Sequence, residues 1–285
     1  MTNTPTNTIL VIGSTGKTGQ RVAGQLEALG IPVRHGSRSS DIPFDWEDQQ
    51  TWAPAVAGVE KVYLTYYPDL AVPGSVDAVR AITELAKDAG VRRLVLLSGR
   101  NEVEAQRAED VVKTCGLEWT IVQCAFFSQN FSEGAFLDEA LAGSISLPVG
   151  DDIQEPFVDV DDIADVVVAA LTDDRHIGQL YELTGPRLLT FGEAVAEVGK
   201  AAGRDIDFVS VSIDDYSAML ADYGLPQDFI WLLNHLFTEV LGSKAQLADG
   251  VQRALGRAPK DFADYARETA ATGVWNLPSE EMPSS

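Results

Sequence analysis

The stretch Gly13-Ser-Thr-Gly16-Lys-Thr-Gly19 joins a short apolar segment to a segment with apolar residues at helical spacing. Residues 8–12 predict a buried strand and residues 20–29 an amphipathic helix, so the glycines occupy a strand-to-helix turn. Such glycines let the turn close and let its backbone approach a pyrophosphate, which free N–H groups and the helix dipole attract. The turn predicts a dinucleotide site, the alternative being a tight turn without a ligand. The residues expected to contact the cofactor here are Gly13, Ser14, Thr15, Gly16, Lys17, Thr18 and Gly19.

Outward from this turn, strand patterns alternate with helix patterns. The further strands are predicted at residues 31–35, 60–65, 93–97 and 117–122, and the further helices at residues 76–89 and 102–115. This alternation predicts an α/β fold with a Rossmann-like, doubly wound parallel sheet. Ligands of such sheets bind beyond the carboxyl ends of the strands. We therefore expect one crevice lined by Gly13, Ser37, Thr65, Ser98 and Gln123.

From Thr190 onward the pattern becomes mainly helical. Helices are predicted at residues 191–202, 214–223, 227–241 and 261–271, with one strand at residues 206–211. We expect a nucleotide-binding domain over residues 1–188 and a smaller C-terminal lobe over residues 189–285. The lobe can close over the crevice and shape a substrate pocket, or it can simply pack against the sheet.

Composition excludes several classes of protein. Lys and Arg total 21 and Asp and Glu total 43, giving a net charge of −22 that opposes binding to nucleic acid or to anionic membranes. The chain shows no secretory leader pattern and no membrane-spanning stretch, so a cytoplasmic location is expected. Cys115 and Cys124 form no disulfide framework, and the three isolated histidines predict no metal site.

The segment after the second predicted strand bears on the choice of dinucleotide. An acid about 20 residues beyond the glycine turn is typical of NAD binding, whereas a cation suits the 2′-phosphate of NADP. Here the chain reads Gly36-Ser-Arg-Ser-Ser40, and Arg38 with the hydroxyl of Ser37 fits a phosphate. Lys17 is a candidate second cation. NADP(H) is therefore expected in preference to NAD(H), while Asp41 keeps NAD binding open.

The glycine spacing, Gly-x-x-Gly-x-x-Gly, is typical of short-chain dehydrogenase relatives. With the motifs that follow, the chain resembles the NmrA-like family of atypical short-chain dehydrogenases/reductases, which includes quinone reductases, ergot-alkaloid dehydrogenases and nitrogen-metabolite regulators. The resemblance runs from Ile9 to about Phe208. The motifs, in order, are Thr15-Gly-Lys-Thr-Gly19, Phe44-Asp-Trp46, Glu118-Trp-Thr-Ile121, Phe126-Phe-Ser-Gln-Asn-Phe131, Pro156-Phe-Val-Asp-Val-Asp-Asp-Ile-Ala164 and Leu183-Thr-Gly-Pro186.

The resemblance implies roles for further residues. Asp45 would contact the adenine and Trp46 would flank it. Phe126, Phe127 and Asn130 would lie along the substrate. Glu109 matches a recurrent family position, or is an ordinary exposed helix acid. The cofactor contacts implied beyond the glycine turn are Ser37, Arg38, Asp45, Trp46, Thr65, Tyr66, Tyr67, Ser98 and Cys124.

No tyrosine in the chain has a lysine four residues later, so the usual acid of ketone-reducing relatives is missing. Tyr67 and Ser98 remain candidate catalytic residues, and Lys113 does not fit the lysine pattern of isoflavone-reductase-like relatives. Hydride transfer needs little help when the acceptor is already electrophilic. We therefore expect an NAD(P)H-dependent oxidoreductase for quinones or imines that leaves unactivated ketones untouched. The alternative is a non-catalytic NAD(P) sensor that binds a protein partner; a homo-oligomer is also open.

Overall fold

The computed structural model describes residues 7–134, 136–241 and 245–277. Its strands are β1 (Ile9–Ile12), β2 (Val33–Gly36), β3 (Lys61–Leu64), β4 (Arg93–Gly99), β5 (Glu118–Cys124), β6 (Ser144–Leu147), β7 (Gln154–Glu155), β8 (Gln179–Leu183), β9 (Leu189–Thr190) and β10 (Asp207–Ser210). Its α-helices are α1 (Lys17–Ala28), α2 (Trp52–Val56), α3 (Ser75–Asp88), α4 (Val103–Thr114), α5 (Leu137–Ala142), α6 (Val160–Thr172), α7 (Phe191–Ala202), α8 (Ile213–Asp222), α9 (Gln227–His235), α10 (Gly250–Leu255) and α11 (Phe262–Ala271).

Six strands form one parallel sheet in the order β2-β1-β3-β4-β5-β8. The strand order reverses between β1 and β3, and doubly wound sheets bind ligands at such a reversal, beyond the carboxyl ends of the strands. The predicted Rossmann-like fold class is confirmed. The glycine turn follows β1, so it lies at this reversal.

Helices cover both faces of the sheet because its strands are apolar on both sides. On one face, α1 and α6 pack together over the sheet, and α6 is buried along most of its length. On the other face lie α2, α3 and α4. Neither α6 nor the edge strand β8 was among the predicted elements; the sequence analysis reached this region only through family motifs.

The lobe has its own aromatic core, with Phe131, Phe157, Phe191 and Phe262 packed ring to ring. Elements from both sides of the predicted division at residue 188 are combined: β6 pairs with β10, while α10 packs on β8 and α6.

The helix predicted over residues 227–241 is α9 continued by a π-helical turn over Leu236–Val240. In the described ranges, no helix has the length and apolar content needed to cross a membrane.

Candidate functional site

The glycine turn is shaped by close backbone approaches. Gly13 has a φ of +72°, and a Cβ there would stand 2.5 Å from Thr65 Oγ1. A Cβ on Gly19 would overlap the carbonyl of Gly13, at 2.0 Å from its oxygen. Only glycine fits either position without rearrangement. The turn therefore has the tight closure and the close helix-to-strand packing that the sequence predicts.

Helix α1 begins with features that leave room for an anion. Gly16 caps the helix without a side-chain hydrogen bond, and the first turn contains no acidic residue. The first N–H groups of a helix have no intrahelical partners, and the helix dipole makes this end positive. The buried Ser14 Oγ also has no hydrogen-bond partner among the described residues. These groups fit a diphosphate.

A cleft of about 670 Å³ runs along the carboxyl ends of the strands. It brings together nearly all of the predicted site residues. The exceptions are Ser14 and Gly19 of the glycine turn, which are not among the lining residues, and Gln123, whose amide is turned to Glu109. The predicted residues that line it are Gly13, Thr15, Gly16, Lys17, Thr18, Ser37, Arg38, Asp45, Trp46, Thr65, Tyr66, Tyr67, Ser98, Cys124, Phe126, Phe127 and Asn130.

Arg34, in β2, and Arg38, just after β2, have different surroundings. Arg34 donates to the carbonyls of Ala55 and Ala57, at 2.9 and 2.6 Å. Arg38 is exposed, lines the cleft and makes no hydrogen bond or ion pair with any described residue. Beside it, the hydroxyls of Ser37 and Ser40 are 2.8 Å apart. Of the two, Arg38 is the cation available to a ligand in the cleft.

Lys17, the first residue of α1, bonds to Asn130 rather than to the turn that carries Arg38. Its Nζ donates to Asn130 Oδ1 at 2.6 Å, across the cleft entrance to the segment after β5. Burial lowers the pKa of the Lys17 ammonium. The side chain that was a candidate second cation beside Arg38 is thus held by Asn130.

Aromatic residues form one wall of the cleft. The rings of Trp46 and Tyr66 have centroids 4.7 Å apart, and the Trp46 indole donates to the carbonyl of Thr65 at 3.1 Å. Asp45 lies next to this pair, and its Oδ1 accepts from the backbone N–H of Glu47. The wall presents a fixed aromatic surface and a carboxylate to the cleft.

Ser98, at the end of β4, is bound to a buried carboxylate. Its Oγ donates to Glu109 Oε1 at 2.7 Å, and the amide of Gln123 donates to the same oxygen at 2.6 Å. Lys113 Nζ donates to the other oxygen at 3.2 Å. Glu109 is 1% exposed, so the alternative of an exposed helix acid is wrong. Since a hydroxyl has one proton to donate, Ser98 faces the cleft as an acceptor.

The other catalytic candidate, Tyr67, is on the cleft rim with two thirds of its surface exposed. Cys124 is buried at the end of β5, where burial raises the pKa of its thiol. Among the described residues, neither side chain is hydrogen-bonded to a base that could activate it. Both are placed to contact a ligand rather than to attack one.

The far end of the cleft is apolar. Phe126 is partly buried, and its ring lies 5.5 Å from that of Phe191 and 6.0 Å from that of Phe136. It is therefore both an edge of the lobe's core and a surface of the cleft. Leu236 and Leu241 line the cleft from the lobe, which closes this end.

Sequence reasoning missed the ionisable residues at this end. Glu102, Asp69, Arg100 and Glu155 line the cleft. Arg100 Nε is 3.4 Å from a carboxylate oxygen of Glu182. The carboxyls of Glu102 and Asp69 are near enough that the charge on Asp69 helps to raise the pKa of Glu102. No motif marks them; only their burial together in the cleft reveals them.

With this geometry established, the comparisons with known proteins identify the family. The sequence model of the NAD(P)H-binding family matches residues 13–174, and the chain belongs to this family. The predicted resemblance to the NmrA-like family of atypical short-chain dehydrogenases/reductases is confirmed.

The relatives that are 30% identical to the chain include prestalk A differentiation protein A of Dictyostelium discoideum and an NAD(P)H azoreductase of Xenophilus azovorans. The first match covers 92% of each chain, and the second covers 92% of this chain and 98% of the azoreductase. The fold is similar to an NADPH-dependent quinone oxidoreductase of Escherichia coli (TM-score 0.71, 22% identity, 91% and 99% coverage). It is also similar to NmrA, a negative transcriptional regulator (TM-score 0.69, 16% identity, 95% and 99% coverage).

Proposed function

We propose that this protein is an NADPH-dependent reductase that delivers hydride to a flat, electron-poor small molecule such as a quinone or an imine. The observation that carries the proposal is the continuity of the cleft. It joins the glycine turn to the apolar end formed by Phe126 and the lobe, which supports the binding of a dinucleotide and a second molecule side by side.

The residues present fit a dinucleotide. The Gly13–Gly19 turn and the first turn of α1 would bind the pyrophosphate, since no acid or side-chain cap competes there. Trp46 and Asp45 would hold the adenine, and Thr65, Tyr67 and Cys124 would border the nicotinamide end. When bound in reduced form, the dinucleotide supplies the hydride.

The preference for NADPH rests on Arg38. It is the exposed arginine of the Ser37–Ser40 turn, it has no partner among the described residues, and it stands beside hydroxyl donors. A guanidinium binds a phosphate with charge-assisted hydrogen bonds, which exceed neutral ones in strength. The 2′-phosphate that distinguishes NADPH from NADH would be its ligand.

The acceptor class is suggested by the apolar end of the cleft and by the relatives. Phe126 and Phe127 offer aromatic surface to a planar molecule. An azoreductase among the relatives and a quinone oxidoreductase among the structural neighbours are named for planar, electron-poor acceptors. We extend that class of substrate to this chain.

The test is consumption of NADPH in the presence of menadione, a cyclic imine, an azo dye or an aryl ketone at equal concentration. Turnover of at least one electron-poor acceptor is expected. Gly16→Val serves as the blank because it fills the space beside the glycine turn. If the wild type binds NADPH and reduces none of the acceptors, the proposal fails.

That outcome would favour a second function, a dinucleotide sensor that binds a protein partner. The sequence feature in its favour is the lack of a tyrosine–lysine pair, and the fold is also that of the regulator NmrA. A sensor would bind NADPH at the same cleft and turn nothing over.

A further inference from the structure

The apolar end of the cleft contains a carboxyl group that the reductase proposal has not used. Glu102 lies between β4 and α4, folded back over the end of β4. A Cβ added to Gly99 would stand 1.9 Å from Glu102 Oε1, so the carboxyl rests directly on the Gly99 backbone. The absence of a side chain at Gly99 thus makes room for this group beside Cys124.

The surroundings of Glu102 disfavour its charged form. The residue is 6% exposed, and its Oε2 has no hydrogen-bond partner among the described residues. A buried carboxylate with an unpartnered oxygen is unfavourable, whereas a neutral acid is much less so. An oxygen in this state at the edge of a ligand cleft is available to a polar atom of a ligand.

The two negative charges that act on Glu102 raise its pKa further. Asp69, after β3, places a negative charge near the Glu102 carboxyl, and Glu109 of α4 adds a second negative charge. His235 of α9 faces Asp69, and Cys124 at the end of β5 faces Glu102. Burial first, and then Asp69, raise the pKa of Glu102 to about 9. At neutral pH the group keeps its proton, as a general acid must.

We propose that Glu102 is the proton donor of the reduction, giving its carboxyl proton to the oxygen or nitrogen of the acceptor as hydride arrives. The proposal rests on the reductase function. A quinone becomes a hydroquinone by gaining one hydride, which carries both electrons, and one proton. The hydride leaves the reduced dinucleotide, which is oxidised, and the proton leaves Glu102. The carboxylate that remains regains a proton from water.

Asp69 acts on Glu102 through its charge in this scheme. Its negative charge raises the pKa of the Glu102 carboxyl. The rate of quinone reduction should be constant below about pH 9 and fall above it, where Glu102 loses its proton. Asp69→Asn removes the like charge, so this alkaline limb should move to lower pH. A purely structural role of Asp69 would leave the limb in place.

The kinetic test uses two acceptors with different needs for a proton. A quinone requires one, whereas a triphenylmethane dye cation is neutralised by the hydride alone. In single turnovers, Glu102→Gln should slow quinone reduction by about 10²- to 10⁴-fold, the usual contribution of a general acid, and leave dye reduction unchanged. Glu104→Gln is the matched control, since Glu104 lies on the same helix but pairs at the surface with Arg107.

A measurement without cofactor tests the protonation directly. The infrared spectrum of the ligand-free wild type at pH 7 should contain the C=O stretch of a protonated carboxyl that Glu102→Gln lacks and Glu104→Gln retains. An unchanged band in Glu102→Gln overturns the proposal. So does an equal loss with both acceptors, which indicates a structural role.

The two proposals fail in different ways. If the wild type reduces both acceptors and Glu102→Gln reduces the quinone at the same rate, only the role of Glu102 is lost. If the wild type binds NADPH and reduces neither acceptor, the reductase function and the proton donor are lost together.

Discussion

The two ends of the cleft are built in opposite ways. The dinucleotide end comprises the Gly13–Gly19 turn and the Ser37–Ser40 turn, two short segments that follow the adjacent strands β1 and β2. This end of the cleft presents backbone N–H groups and Arg38, which has no hydrogen-bond or ion-pair partner among the described residues. The acceptor end comprises Asp69, Ser98, Glu102 and Phe126 with the lobe residues around them. It presents buried carboxyls and aromatic rings from distant parts of the chain.

This contrast shows how differently binding and chemistry depend on the fold. At the dinucleotide end, function depends on the absence of side chains, because glycines leave room for the backbone to contact a phosphate. At the acceptor end, function depends on burial, because a carboxyl acquires a useful pKa only when its neighbours exclude water. The predictions below test each end in turn.

The largest effect is expected from Gly16→Val at the dinucleotide end. A Cβ on Gly16 already stands 3.3 Å from the Gly13 oxygen, so the larger side chain would occupy the space predicted for the pyrophosphate. Binding of NADPH and NADH should fall below detection by calorimetry, with a native far-UV circular dichroism spectrum. Gly24→Val on the same helix is the control, because a Cβ there meets nothing within 4 Å. Retained binding in Gly16→Val would mean that the turn is only structural.

An intermediate effect is expected from Arg38→Asp. Loss of a charge-assisted contact should weaken NADPH binding by about 1.5–3 kcal/mol and leave NADH binding nearly unchanged, so that the preference disappears. Arg80→Asp, on the exposed surface of α3, controls for the change in net charge. Calorimetric titration of both dinucleotides measures the difference. An unchanged ratio of the two affinities would assign the phosphate to another residue.

The smallest effect is expected from Ser98→Ala at the acceptor end. Glu109 keeps its bonds from Gln123 and Lys113, so the free energy of unfolding should fall by only about 1 kcal/mol. Quinone reduction should change little, because the Ser98 hydroxyl donates to Glu109 rather than toward the cleft.

Thr120→Val is the control for Ser98→Ala, since it removes a buried hydroxyl bond of the same 2.7 Å length outside the cleft. Chemical denaturation and initial rates measure the two effects. A fall in the rate by about 10²-fold or more in Ser98→Ala alone would make Ser98 the general acid.

Much of the cleft could be predicted because it is local. The glycine turn, the Ser37–Arg38 turn and the ends of β3 and β4 each carry their signal within a few residues, and the parallel sheet places them at one edge. The assigned roles of these residues remain predictions, as does the division at residue 188. Gln123 was misplaced because consecutive side chains on a strand point to opposite faces, so that Cys124 lines the cleft instead.

The expectation that ketones are left unreduced depended on finding no acid in the sequence. Glu102 weakens that argument because it is a buried acid that sequence reasoning did not find. No spacing rule connects it to Asp69, 33 positions earlier. The contact of Lys17 with a phosphate stays a prediction. The structure adds a partner that the sequence did not indicate, because the Lys17 ammonium donates to Asn130, distant in sequence.

The sequence by itself determined the class of fold, the dinucleotide turn and the candidate phosphate-binding arginine. These depend on periodicity, on glycine and on charge, which are properties of short segments. The tertiary structure alone decided which ionisable groups are buried and paired: Glu109 with Ser98, Lys17 with Asn130, and Glu102 with Asp69. The physical reason is that desolvation and hydrogen bonding depend on neighbours from other parts of the chain, and these neighbours are set only when the sheet and the lobe pack together.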